Sequence, residues 1–249
     1  MSQKIKSEPE EPSYPKLRVH TILGTKGGVG KSTAAVHLLD WFNARNLPVT
    51  SFDLDDENAT LHRFVPSSQC LNTRDREQAD MLVVKAEELA MGKDHAAIVI
   101  DLRAGSGDDM LAWFAEVPFD YLAENGIEFV GWACVTSDPD SQQTVSKWLE
   151  KIGSKLASCV FVKNLKDGDF QYNIPDCAPK LTATVIIEQI DSRVMSRINE
   201  QALPLGDILK LPKGMKGLTD TMMYTRLIRY RDSIFKQLDA IKDILVAKS

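Results

Sequence analysis

The run Lys26-Gly27-Gly28-Val29-Gly30-Lys31-Ser32-Thr33 restricts what this chain can fold into more than any other stretch. Gly27, Gly28 and Gly30 carry no Cβ, so the backbone can curl with positive φ and bring its N–H groups against an anion. The run follows a strand-sized apolar segment, Leu17 to Leu23, and opens a helical pattern over about Lys31 to Asn43. A helix starting there points its positive end at whatever the loop encloses. Strand, glycine loop and helix in that order are the setting of the phosphate-binding pattern G-x-x-x-x-G-K-[ST]. Gly30, Lys31 and Ser32 match the end of that pattern, and Thr25 stands where its first glycine belongs. Read this way, Gly27, Gly28, Val29 and Gly30 cradle phosphate, Lys31 neutralises its β and γ groups, Ser32 offers a hydroxyl to Mg²⁺, and Thr33 reaches an α-phosphate oxygen. ATP and Mg²⁺ are the expected cofactors.

Further strand-sized runs fall at residues 48–54, 96–102, 128–135, 158–162 and 184–190, with helical patterns at 141–156 and 219–246. Short apolar strands alternating with helices predict an α/β P-loop NTPase, its mainly parallel β-sheet flanked by helices on both faces. Ligands on such sheets bind at the carboxyl ends of the strands. Residues 17–249 are expected to form a single domain with a basic C-terminal helical segment. Residues 1–16, with mixed charges and three prolines, are expected to be a disordered tail too short for a helix-turn-helix.

Ile98-Val99-Ile100-Asp101 ends the third strand in a carboxylate, the Walker B pattern, and places Asp101 to hold Mg²⁺ through a water opposite Ser32. Asp108 and Asp109 suit the start of the next helix.

The loop, with its early lysine, fits the variant KGGxGK[ST] and resembles the ParA/MinD family of ATPases. The second strand ends Asp53-Leu54-Asp55-Asp56-Glu57-Asn58-Ala59-Thr60, similar to that family's DLDPQGNAT but without the proline and one residue shorter. Asp101-Leu102-Arg103-Ala104-Gly105 matches the D-x-[PA]-[AP]-G switch loosely, and Asn199 to Gly206 is similar to the stretch before the family's final helices. The resemblance runs from Val19 to about Lys210. It implies that Lys26 reaches across a dimer interface to the partner's nucleotide, that Asp55 positions the attacking water, and that Asp53 lies near the metal's water shell. It further implies an ATP-state homodimer, slow hydrolysis without a partner, and a separate adaptor or ATPase-activating protein. Asn164, after the fifth strand, is the candidate for adenine recognition, with a turn asparagine before Asp167-Gly168 as the rival reading. Arg103 is either a phosphate or partner contact or a surface arginine.

Charge separates the remaining function classes. The chain is net −5, which argues against a protein that binds nucleic acid with a uniformly basic surface. Residues 210 to 236 nevertheless hold seven basic side chains against Asp220 and Asp232. This motivates a ParA-like ATPase that dimerises with ATP and binds nonspecific DNA to segregate or position cargo. A MinD-like membrane-cycling ATPase is the alternative, although a membrane-surface helix would be expected to show a largely basic polar face, whereas Asp232, Lys236, Asp239, Lys242 and Asp243 mix signs. A metal-loading or electron-passing factor on the same core would need paired cysteines, and Cys70, Cys134, Cys159 and Cys177 form no CxxC pair. Those scattered thiols suit a reducing compartment, so a cytoplasmic location is expected, with the nucleoid as a docking place if DNA is the partner. The longest apolar runs are strand-sized, and no integral membrane association is expected.

Overall fold

The computed structural model describes residues 16–55, 58–72, 75–92, 97–103, 105, 107–211 and 221–247. Nearly all of the expected tail therefore lies outside the described residues. In chain order the elements are β1 (Leu17–Leu23), α1 (Lys31–Ala44), β2 (Val49–Asp53), α2 (Thr60–Phe64), β3 (Gln69–Cys70), α3 (Arg76–Met91), β4 (Ala97–Asp101), α4 (Gly107–Glu116), α5 (Phe119–Glu124) and β5 (Ile127–Val135). They continue with α6 (Pro139–Ile152), β6 (Ser158–Asn164), β7 (Thr182–Ile187), α7 (Ser192–Gln201), α8 (Leu205–Lys210), α9 (Thr221–Ala240) and α10 (Lys242–Leu245).

The strands form one sheet in the order β3-β2-β4-β1-β5-β6-β7, and every pairing is parallel. Parallel strands need crossovers, so helices cover both faces. Along β1, Leu17, Val19 and Leu23 enter the core shared with α3, α4, α5 and α6, whereas Ile22 enters the one shared with α1, α2 and α7 to α10. This two-residue alternation is why β1 reads as a continuous apolar run. Trp41, Trp132, Trp148, Phe42, Phe114 and Phe161 are fully buried, and side chains of this size contribute about 1.5–3 kcal/mol each.

His20, Asp40 and Arg231 inside the α1 layer are matched to partners, whereas His37 Nδ1 is buried without one. Trp132 Nε1 donates to His20 Nδ1 at 3.0 Å, so His20 Nε2 carries the proton and donates to the Leu245 carbonyl at 2.9 Å. Arg231 of α9 is ion-paired with Asp40 of α1, and Gly206 N–H donates to the same carboxylate oxygen. A Cβ on Gly206 would lie 2.4 Å from Asp40 Oδ1, so only glycine lets α8 come this close.

Several expected boundaries move. The single C-terminal helix is two, α9 and α10, broken at Ile241, which turns Ile244 and Leu245 into the core where His20 holds the Leu245 carbonyl. The helix expected from 141 starts at Pro139, capped by Asp138 accepting from Asp140 N–H, and ends at Ile152. β6 extends through Asn164, so this asparagine is the last strand residue.

Candidate functional site

The glycine loop joins β1 to α1 at the carboxyl edge of the sheet. Gly30 precedes α1 with φ 97°, and its missing Cβ leaves room for Asn164, whose Nδ2 would be 2.4 Å away. Asn164 Nδ2 donates to the Val29 carbonyl at 3.0 Å, and its Oδ1 accepts from Lys166 N–H at 3.2 Å. The end of β6 thus braces the loop. α1 has no side-chain cap and no acidic residue in its first turn, leaving its N-terminal N–H groups and dipole for an external anion.

Lys31 is 6% exposed and donates from Nζ to the Lys26 carbonyl at 2.9 Å. Burial pushes its pKa down, and the charges of Asp101 and Asp55 pull it back. Lys26 points elsewhere: its Nζ lies 3.0 Å from Asp140 Oδ2 and 3.2 Å from Asp138 Oδ2, on the exposed rim at the start of α6. Hydrogen bonds to these carboxylates raise its pKa.

Three carboxylates meet at the ends of β2 and β4. Asp53 and Asp101 are register partners on these adjacent strands, and both are 1% exposed. Asp53 accepts from Asp55 N–H at 3.0 Å and from His62 N–H at 2.9 Å, so its oxygens organise the turn into α2. Burial raises its pKa despite these bonds. Asp55, half-buried, accepts from the Asn58 backbone and side chain within that turn. Burial pushes Asp101 up to about 7, against a hydrogen bond from Ser32 and the charge of Lys31, with Asp53 and Asp55 adding to the rise. Its Oδ1 is buried with no partner. An orphaned carboxylate oxygen beside Lys31 and a serine hydroxyl fits a divalent cation. Among the described residues no three histidine, cysteine or acidic side chains could hold a metal by themselves.

After β4, Gly105 N–H donates to the Thr25 carbonyl at 3.0 Å, joining the switch segment to the start of the loop. Beside Ser32 and Thr33 a cavity of about 90 Å³ extends between α1, α2 and α7, lined also by His37, Arg63, Met195 and Asn199.

Asp138 caps α6, and Asp138 and Asp140 also hold Lys26, a pairing the local pattern does not reveal. The expected basic cluster is divided. Lys213 and Lys216 lie outside the described residues, Arg231 turns inward to Asp40, and Lys210 and Arg226 pair with Asp207 and Asp191. Arg226, Arg229 and Lys236 are exposed at spacings that put them on one side of α9. Cys134 and Cys159 are buried, whereas Cys70 is exposed. Among the described residues no helix is long and apolar enough to cross a membrane.

The family model described as CbiA: CobQ/CobB/MinD/ParA nucleotide binding domain matches residues 20–237. The structure is similar to a chain of the MinC:MinD cell division protein complex of Aquifex aeolicus, with TM-score 0.57 and 14% identity over 91% of this chain and 96% of that one. It is also similar to the MinD cell division protein of the same organism, with TM-score 0.51 and 15% identity over 85% and 95% of the two chains. Apo McdA of Cyanthece gives TM-score 0.51 and 11% identity over 89% and 99%. At these identities the likeness is one of fold. No curated protein sequence matches the chain. With the family model spanning the loop, both acidic strand ends and most of the sheet, the chain belongs to the CobQ/CobB/MinD/ParA nucleotide-binding family and is an ATPase of the ParA/MinD group.

Proposed function

We propose that this ATPase is ParA-like: it dimerises around ATP, binds nonspecific DNA as the dimer, and releases it after hydrolysis stimulated by a separate adaptor protein. The observation that carries the reading is the placement of the two loop lysines. Lys31 is buried under the loop, whereas Lys26 stands on the rim, held by Asp138 and Asp140, where a second protomer could receive it. In this mechanism the loop N–H groups, Lys31 and the N-terminus of α1 bind the phosphates. Ser32 and Asp101 would hold Mg²⁺, with Asp53 behind them; when bound, the ion neutralises phosphate charge. Asp55, steadied by Asn58, orients the attacking water. Thr33 meets the α-phosphate, and the nucleoside extends along the adjoining cavity. Asn164 braces the loop and offers its second amide N–H to the base. Lys26 exchanges Asp138 and Asp140 for the phosphates of the partner's nucleotide.

Arg226, Arg229 and Lys236 on one side of α9 support DNA as the partner over a membrane. α10 has little apolar surface to offer a bilayer, since Ile244 and Leu245 are buried in the core. The expected outcome is that Lys31→Ala abolishes nucleotide binding, while Lys26→Ala still binds ATP but neither dimerises nor turns over. Normal turnover by the Lys26 variant overturns the shared-site mechanism. For DNA, Asp55→Ala protein saturated with ATP should dimerise and be retained on nonspecific duplex. Replacing Arg226, Arg229 and Lys236 should lower the slope of log affinity against log salt by about 0.9 for each DNA phosphate that is no longer neutralised. A dimer that ignores DNA at low salt sinks this part of the reading.

A further inference from the structure

The layer formed by α3, α4 and α5, on the opposite side of the sheet from α1 and α9, carries an exposed apolar stripe. Met81 is 52% exposed, Val84 43% and Met91 86%. Offsets of three and seven residues put them on one side of α3. Beside the stripe runs a groove of about 300 Å³ between α3 and the α4–α5 corner, with Val83, Val84, Trp113, Val117 and Pro118 in its walls. Trp113 is held in place by donating from Nε1 to Asp80 Oδ1 at 2.8 Å. Large apolar side chains grouped around a concave surface mark a place where something binds.

Charge identifies the occupant. The three helices carry nine acidic residues, from Glu77 to Glu124, and two basic ones, Arg76 and Lys85, in a chain whose net charge is −5. Both basic residues are already paired with carboxylates of the same layer, Arg76 with Glu116 at 2.6 Å and Lys85 with Glu88 at 2.9 Å. A ligand must therefore bring its own positive charge to an apolar centre with an acidic rim. We propose that this groove docks a basic amphipathic helix of a partner protein, its apolar side chains at i, i+3, i+4 and i+7 on Met81, Val84 and the Trp113 wall, its lysines and arginines on the rim. The site lies across the sheet from α9, so a partner held here leaves the face with Arg226, Arg229 and Lys236 uncovered.

The test uses the full chain and a fluorescent synthetic helix with leucines at those spacings and lysines elsewhere, titrated by anisotropy. Two control peptides have the same composition in scrambled order, and the same leucines with glutamate for lysine. The leucine–lysine helix should bind with micromolar affinity and each control about tenfold or more weakly. Met81→Ser/Val84→Ser and, separately, Glu77→Lys/Glu88→Lys should each weaken binding about tenfold, while Arg229→Glu on α9 leaves it unchanged. All four targeted residues on α3 are exposed, and matched thermal melts confirm that the variants fold. Equal binding of ordered and scrambled helices, unchanged affinity in both α3 variants, or no binding by the wild type overturns the proposal. Concentration-dependent self-association of the wild type, abolished by Arg229→Glu, overturns it in favour of a second copy of this chain as the occupant.

Discussion

His20 should make this protein acid-sensitive by an amount that its surroundings set. It is fully buried on β1, accepts from Trp132 and donates to Leu245, and so is held neutral. Burial pushes its pKa from the ordinary 6.5 to about 3. In the unfolded chain His20 gains a proton as pH falls below about 6.5, and in the folded chain it does not until about 3. Its contribution to stability is complete above 6.5 and is lost steadily as pH falls towards 3, at about 1.4 kcal/mol per pH unit. Between pH 6.5 and 4.5 that is about 2 kcal/mol. Other groups titrate in the same window. His37, pushed down to about 4, adds to the loss, and Asp101, pushed up to about 7, works against it. The absolute slope therefore mixes several groups, and a difference in slopes isolates one. In His20→Gln the amide oxygen can accept from Trp132 and the amide nitrogen can donate to Leu245, with no titration. Urea unfolding at pH 6.5 and 4.5 should show the wild type losing about 2 kcal/mol more than the variant. Equal losses in the two proteins would refute the burial argument. A steeper loss in the variant would reverse its sign.

Gly30→Ala should abolish nucleotide binding by calorimetry and cost about 1–3 kcal/mol of stability, because alanine at φ 97° is strained and its Cβ meets Asn164. Adding Asn164→Ala should relieve the clash but not the backbone strain, so recovery is partial. Asp40→Ala should cost about 3 kcal/mol or more in urea unfolding, since it strands the Arg231 guanidinium, whose side chain is 19% exposed, and the Gly206 N–H. Asp40→Asn should cost less, because the amide oxygen still accepts.

What could be read from the chain alone depended on short range. The phosphate loop was legible because positive φ at Gly28 and Gly30, the preceding strand and the following helix are consecutive demands on a dozen residues. β1, β4 and β5 were legible because strands covered on both faces must be apolar almost throughout, and Asp101 because a carboxylate at the end of such a run is conspicuous. β3, with only two residues, and the short helices α2, α5 and α8 carry too little periodicity to stand out. The break at Ile241 was hidden because the chain beyond it docks on a distant residue: His20, which holds the Leu245 carbonyl, lies 225 residues before it.

The sequence by itself pointed to a nucleotide as the ligand and to the loop proposed to hold its phosphates, since backbone conformation and side-chain chemistry there are set by neighbours in the chain. Only the tertiary structure decided what holds Lys26, which pairs with Asp140 from 114 residues away, and which basic residues of α9 face solvent. It also decided that Arg231 belongs to the core, because burying that charge required Asp40 from α1 on the other side of the helix contact. The groove between α3 and α4, with Asp80 and Glu116 in its walls, likewise exists only where the helices on either side of β4 in sequence are packed together on one face of the sheet.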